Sequence, residues 1–249
     1  MKFSLSLLFG LLLLATSCDS QKTNASSAAT ATTNAAPERG AMTAGNPEPV
    51  AGFTIDDLDK KYEGFEKAYF AGGCFWCTEA SFDRIQGVED VYSGYAGGTE
   101  VNPTYKEVSY GKTSHAEAIV VYYDPAIIDY NTLLDVFFVA HDPTTLNRQG
   151  PDRGPHYRSA IFPINAEQEK LAKAKIKKLD ASGKFSAPIV TTIEKAEPFY
   201  VAEGYHQDYY EDSSNPNWSY VTNVSKPKVE KVLRTFRERV KVEYLGEIE

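Results

Sequence analysis

Apolar residues are distributed very unevenly along this chain. Residues 3–14 form a mostly apolar run, residues 19–52 hold almost no large apolar side chain, and aromatic and aliphatic positions reach globular density from Phe53 onward. In the dense part, the apolar stretch 67–71 predicts a short buried strand that stops at Gly72-Gly73. The next segment, CFWCTEASFDRI, spaces Phe75, Ala80, Phe82 and Ile85 as a helix does, which puts Cys74 at a strand-to-helix turn. Alternation predicts strands over 88–95, 116–123, 157–164 and 188–194. Helical spacing predicts helices over 130–140, from Asn165 with Gln168 as capping partner to near Gly183, and over 228–240. Residues 102–105 (NPTY) read as an ordered turn, 141–156 as a polar Gly/Pro-rich loop of a length that usually carries function, and 199–210 as an aromatic-rich stretch. Strands and helices mix without strict alternation. This predicts an α+β fold, a two-layer α/β sandwich with a mixed sheet, ferredoxin-like.

The low-density beginning changes the picture of where the domain works. Lys2, the apolar run and then Ala15, Thr16 and Ser17 have the three parts of a secretory signal, and the run is too short for an ordinary membrane span. Small residues leading into Cys18 resemble a bacterial lipoprotein cleavage box, in which that cysteine is lipidated; the plainer alternative is a cleaved signal with an incidental Cys18. The expected organisation is a lipoprotein signal peptide at 1–17, a lipid-anchored tether at 18–52 that is too polar to repay the cost of ordering, and one domain at 53–249. The expected location is a bacterial membrane, on its periplasmic face or at the cell surface.

Charge and cysteine use narrow the chemistry. A net charge of −8 argues against nucleic acid as a partner, and the Lys-rich stretch 170–178 reads as a solvated helix face. Of three cysteines, two are left to the domain, Cys74 and Cys77, three residues apart. So sparse a pair in an exported domain of this size points to chemistry more than scaffolding. A thiol at a helix N-terminus ionises more easily, which makes Cys74 a candidate nucleophile. The pair alone leaves several readings open: a thioredoxin-like redox motif, although Phe75-Trp76 is a bulky insert; a zinc site, although none of the four histidines has a partner at finger spacing; or a structural disulfide.

Taken with its surroundings, the pair is more specific. Gly73-Cys74-Phe75-Trp76 followed by Cys77-Thr78-Glu79 resembles the active-site segment of the A-type peptide methionine sulfoxide reductases. The resemblance continues, in order, through GYAGG at 94–98, NPTY at 102–105, HAEA at 115–118, HDP at 141–143, DRG at 152–154 and YRS at 157–159. It implies an enzyme that reduces the S epimer of methionine sulfoxide by attack of Cys74 on sulfur. Glu117 would protonate the sulfoxide oxygen, Tyr105 and Tyr157 would hydrogen-bond it, Asp152 would order the site, and Phe75 and Trp76 would receive the S-methyl group. It further implies a sulfenic acid on Cys74, a Cys74–Cys77 disulfide, recycling by thioredoxin or an equivalent external dithiol, no bound cofactor or metal, and a monomer acting on oxidised proteins. Many members carry Gly where Cys77 stands and recycle through cysteines in a C-terminal tail; residues 239–249 here contain none. Read from alternation alone, Glu117 would face solvent, and His156 and His206 read as structural.

Overall fold

The computed structural model describes residues 51–195 and 198–248. The expected signal, the lipidation site Cys18 and the expected tether up to residue 50 lie outside these residues. The first element, α1 (Ile55–Lys61), was not foreseen in the patterning. Thr54 starts it: its hydroxyl accepts the Asp57 N–H while the Asp57 carboxylate accepts the Thr54 N–H, so two otherwise unpaired donors are satisfied. The chain continues through β1 (Glu66–Gly72), α2 (Phe75–Asp83), β2 (Val88–Ala96), α3 (Tyr105–Ser109), β3 (Ala116–Tyr123) and α4 (Tyr130–Ala140). After a small hairpin, β4 (Arg148–Gln149) and β5 (Asp152–Arg153), come β6 (Ser159–Phe162), α5 (Ala166–Ala181), β7 (Thr192–Ile193), β8 (Tyr200–Val201), α6 (Trp218–Tyr220) and α7 (Lys226–Thr235).

Strands β6, β1, β3 and β2 lie side by side in that order, each antiparallel to its neighbour. With α2 between β1 and β2 and α4 between β3 and β6, they form the β-α-β-β-α-β unit of ferredoxin-like folds, as the sequence reading expected. Addition of β7 parallel to β6 and of β8 antiparallel to β2 makes the six-stranded sheet mixed. All eight residues of β3 are buried, because both faces of this central strand are covered. One face packs on α2, α4 and α7 through Phe70, Phe82, Ile119, Phe137 and Val232. The other meets Leu58 and Tyr62 of the α1 region, over Val120, Tyr122 and Phe162.

Several expected spans are shorter than the patterning implied. The strand over 188–194 reduces to β7, because the Val190 N–H bonds to the Pro143 carbonyl instead of joining the sheet. The strand over 157–164 reduces to β6, since Pro155–Tyr157 is a 3₁₀ turn. The helix over 228–240 begins earlier, at Lys226, and Phe236 ends it before a separate turn at Arg237–Arg239. In the Lys-rich helix α5, Lys175 departs from the solvated-face reading: it is buried and pairs with Asp135 at 2.7 Å. Residue Tyr105, read as the end of a turn, instead opens α3 behind a second Thr-based cap at Thr104.

Candidate active site

The first turn of α2 is built by the glycine pair before it. Gly73 has φ +91°, a left-handed conformation that favours glycine, and a Cβ there would strike the side chain of buried Gln149. Gln149 is itself fixed, accepting the Asp142 N–H at 3.0 Å. The chain therefore turns sharply out of β1 and sets Cys74 at the N-cap of α2, the strand-to-helix turn expected from the sequence. Cys77 follows on the same face of the first turn; both cysteines are buried free thiols.

A cavity of about 240 Å³ opens at Cys74. Its wall holds Trp76, Tyr105, Glu117, Asp152 and Tyr157, which the chain order scatters over more than eighty positions. Cys77 and Phe75 are not among the lining residues. Phe75 is fully buried and packs against Tyr105 and His206, so its side chain supports the wall from behind.

Glu117 reverses the reading from alternation. It is 1% exposed, on the strand whose two faces are both covered. Its Oε2 accepts the Phe75 N–H at 3.1 Å, which ties the carboxyl to the start of α2. Burial pushes its pKa up to about 8 against the pull of that N–H, so at neutral pH the group carries a proton into the cavity. Tyr105 is held by its own N–H, donated to Glu203 at 2.9 Å. Burial first, and then the Glu117 charge, raises the phenols of Tyr105 and Tyr157, so both keep a proton to donate. Asp152 accepts a 2.6 Å hydrogen bond from the Tyr220 hydroxyl.

The apolar wall is rigid. Trp76 stacks face to face on Tyr209, with ring centroids 3.8 Å apart, and donates its indole N–H to His206 Nδ1 at 3.1 Å. Burial holds His206 down to about 3, so it is a neutral acceptor and fixes the indole's angle. His156 packs on the ring of Tyr157.

A thiol, a protonated carboxyl, three phenols and an indole on one small cavity are a set for reducing an oxygen-bearing electrophile. Comparison with known proteins assigns the class. A family profile described as peptide methionine sulfoxide reductase matches residues 66–240. The chain belongs to that family. Peptide methionine sulfoxide reductase MsrA 1 of Rhodopirellula baltica is 54% identical over 182 residues, covering 73% of this chain and 93% of that protein. The Deinococcus radiodurans MsrA is 51% identical over 176 residues, covering 71% and 84%. Among solved structures, methionine sulfoxide reductase A of Corynebacterium diphtheriae aligns with TM-score 0.57 and 33% identity over 67% of this chain and 85% of that one. Reduced Mxr1 of Saccharomyces cerevisiae aligns with TM-score 0.54 and 38% identity over 59% and 85%. This protein is therefore an oxidoreductase of the MsrA type, and methionine sulfoxide is what it reduces.

Four residues of the reductase site escaped the sequence reading. Asn217 and Tyr220 line the cavity. Ser225 Oγ lies 3.2 Å from Cys77 Sγ, and the Lys228 ammonium 3.9 Å from the same sulfur. The dithiol shares a proton: the hydrogen bond from Cys74, helped by Lys228 and Ser225, brings Cys77 down to about 7 against burial, while burial and the neighbouring Cys77 raise Cys74. Among the described residues no cluster of three or more His, Cys, Asp or Glu side chains is placed to hold a metal. No helix among them is long and apolar enough to cross a membrane.

Proposed function

We propose that this reductase repairs oxidised proteins outside the cytoplasm as a monomer, anchored to a bacterial membrane through a lipid on Cys18, and that it acts on the S epimer of methionine sulfoxide, peptide-bound or free. The observation that carries the catalytic part is the buried carboxyl of Glu117 on the same cavity as Cys74, a burial that pushes its pKa up to about 8. The dithiol has lost one proton and holds the charge mainly on Cys77; Cys74 attacks the sulfoxide sulfur as its own proton passes to the Cys77 sulfur. Glu117 gives its proton to the oxygen, which makes that oxygen able to depart, and the Tyr105 and Tyr157 hydroxyls stabilise the charge it gains. The substrate S–O bond and the transient bond between the two sulfurs both break, the oxygen passes to Cys74 as a sulfenic acid, and methionine is released: the substrate sulfur is reduced by two electrons and Cys74 oxidised by two.

Trp76, locked by Tyr209 and His206 and backed by Phe75, supplies an apolar surface for the S-methyl group. Cys77 then closes a disulfide with Cys74, and a dithiol such as thioredoxin reopens it. The epimer follows from kinship with A-type enzymes, since separate enzymes serve the two epimers. The anchor rests on the signal-like residues 1–17 and the small residues before Cys18.

The test is reduction of each epimer of a methionine sulfoxide peptide with dithiothreitol. The parent protein is expected to consume the S epimer and Cys74→Ser to consume neither; full activity in Cys74→Ser, or preference for the R epimer, overturns the proposal. Incorporation of labelled fatty acid in bacteria, lost in Cys18→Ala, tests the anchor.

A further inference from the structure

The C-terminal helix brings a cation and a hydroxyl to the sulfur that the cavity does not expose. We propose that Ser225 and Lys228 form a thiolate cradle for Cys77, so that Cys77 is both the sulfur that closes onto Cys74 and the sulfur that leaves when an external dithiol attacks Cys74. The proposal builds on the reading of Cys77 as the resolving thiol and adds what activates it and which sulfur the reductant meets.

The cradle has a structural cause. Pro227 lacks an N–H and cannot bond to the Asn223 carbonyl four residues back. The backbone just before it widens into a π turn over Val221–Ser225, in which the Lys226 N–H reaches the Val221 carbonyl five residues back. Wide turns of this kind recur at functional sites. Here the turn seats the fully buried Ser225 on Cys77 at 3.2 Å, and Lys228, three residues on and on the same helix face, follows at 3.9 Å. The packing of Ala80 of α2 against Val229 and Leu233 of α7 holds the two helices together at this point.

The groups that face Cys77 are Cys74 on its own helix, Asp152 of β5, Glu117 of β3, Tyr220 of α6 and Lys228 of α7. Glu117 and Tyr220 are protonated at neutral pH and Asp152 opposes a thiolate, so Lys228 is the charge that favours one. In closure, the Cys77 thiolate attacks the sulfenic sulfur of Cys74, the S–S bond forms and the S–O bond breaks. The oxygen leaves as water, with its own hydrogen and the proton that Cys77 has given up. In recycling, a protein dithiol reaches Cys74, which lines the cavity, and not Cys77, which does not. Cys77 departs as thiolate into the cradle, and the second thiol of the reductant releases Cys74, the reductant ending as its own disulfide.

The test follows closure after one equivalent of a methyl sulfoxide without reductant. Remaining sulfenic acid is captured with dimedone and the products are read by mass spectrometry across pH, for the parent, Lys228→Met, Lys228→Arg and Ser225→Ala. In Lys228→Met, closure at neutral pH is expected to slow roughly tenfold and its pH midpoint to rise by about one unit, as loss of one adjacent charge entails. Lys228→Arg restores the midpoint, and Ser225→Ala shifts it the same way by less. Thiolate absorbance of the resting reduced proteins reads the same shift without turnover and reports on folding through a normal titration of the parent. Unchanged midpoints in both Lys228→Met and Ser225→Ala, with the Cys74–Cys77 disulfide still forming, overturn the cradle. Absence of that disulfide from the parent is a separate failure, which removes Cys77 from the reaction altogether.

Discussion

The two sides of the catalytic cavity are built in different ways. One side grows from the sheet: Cys74 just after β1, Glu117 inside β3 and Tyr157 just before β6 sit on central strands paired along both edges and buried where they reach the cavity. The other side comes from the C-terminal segment: Asn217 and Tyr220 of the α6 region line it, and Ser225 on the π turn and Lys228 at the start of α7 stand behind it on Cys77. In the proposed reaction Cys74, Glu117 and Tyr157 on the sheet side meet the sulfoxide, while Ser225 and Lys228 of the C-terminal segment meet the Cys77 sulfur. The proposed chemistry on the substrate thus rests on the central sheet, while the proposed handling of Cys77 depends on a π turn that precedes Pro227.

The largest expected effect is on the sheet side. Glu117→Gln keeps the shape and the Phe75 contact but cannot give a proton, so sulfoxide reduction should fall roughly 10²- to 10⁴-fold. The parent's rate should trace a bell in pH. Its acid limb lies near 7, where the dithiol must give up a proton, and its alkaline limb near 8, where Glu117 loses the proton it must donate. In the Gln variant the alkaline limb should vanish; a bell of unchanged width would move the proton donor elsewhere. Tyr157→Phe removes one hydroxyl from the oxygen's site and should cost roughly ten- to a hundredfold in kcat/KM, at constant fold as read by circular dichroism. The smallest effect belongs to the other side: Tyr220→Phe frees Asp152 from its 2.6 Å hydrogen bond and should lower kcat/KM by less than about tenfold. A loss from Tyr220→Phe that matched the loss from Tyr157→Phe would erase the division between the two sides.

The same division explains what could be read from the residues. β3 is legible because seven apolar or aromatic positions out of eight, bounded by Asp124-Pro125, admit little else, and the Cys74 turn is legible because two glycines stand between a strand pattern and a helix pattern. The role of Glu117 was not legible from alternation. A strand covered on both faces has no solvent side, and only the packing of α2, α4 and α7 on one face and of the α1 region on the other reveals that. The cavity's C-terminal side left almost no trace: Ser225 and Lys228 are ordinary residues in a polar stretch, and what places them on Cys77 is a widened turn ahead of Pro227. Pro227 beside a helical pattern was the one local signal available. The helix α1 was missed because its apolar pattern spans too few residues to register, although its Thr54–Asp57 cap is visible in the sequence.

The proposed reaction needs Cys74 to reduce a sulfoxide and Cys77 to close on it. One turnover of the reduced protein with an S-sulfoxide peptide and no reductant, followed by acid quench, alkylation and peptide mass spectrometry, tests it directly. One methionine per protein is expected, together with a disulfide joining Cys74 to Cys77. Methionine formed with both thiols still open to alkylation, or a sulfenic acid that persists on Cys74, would contradict it.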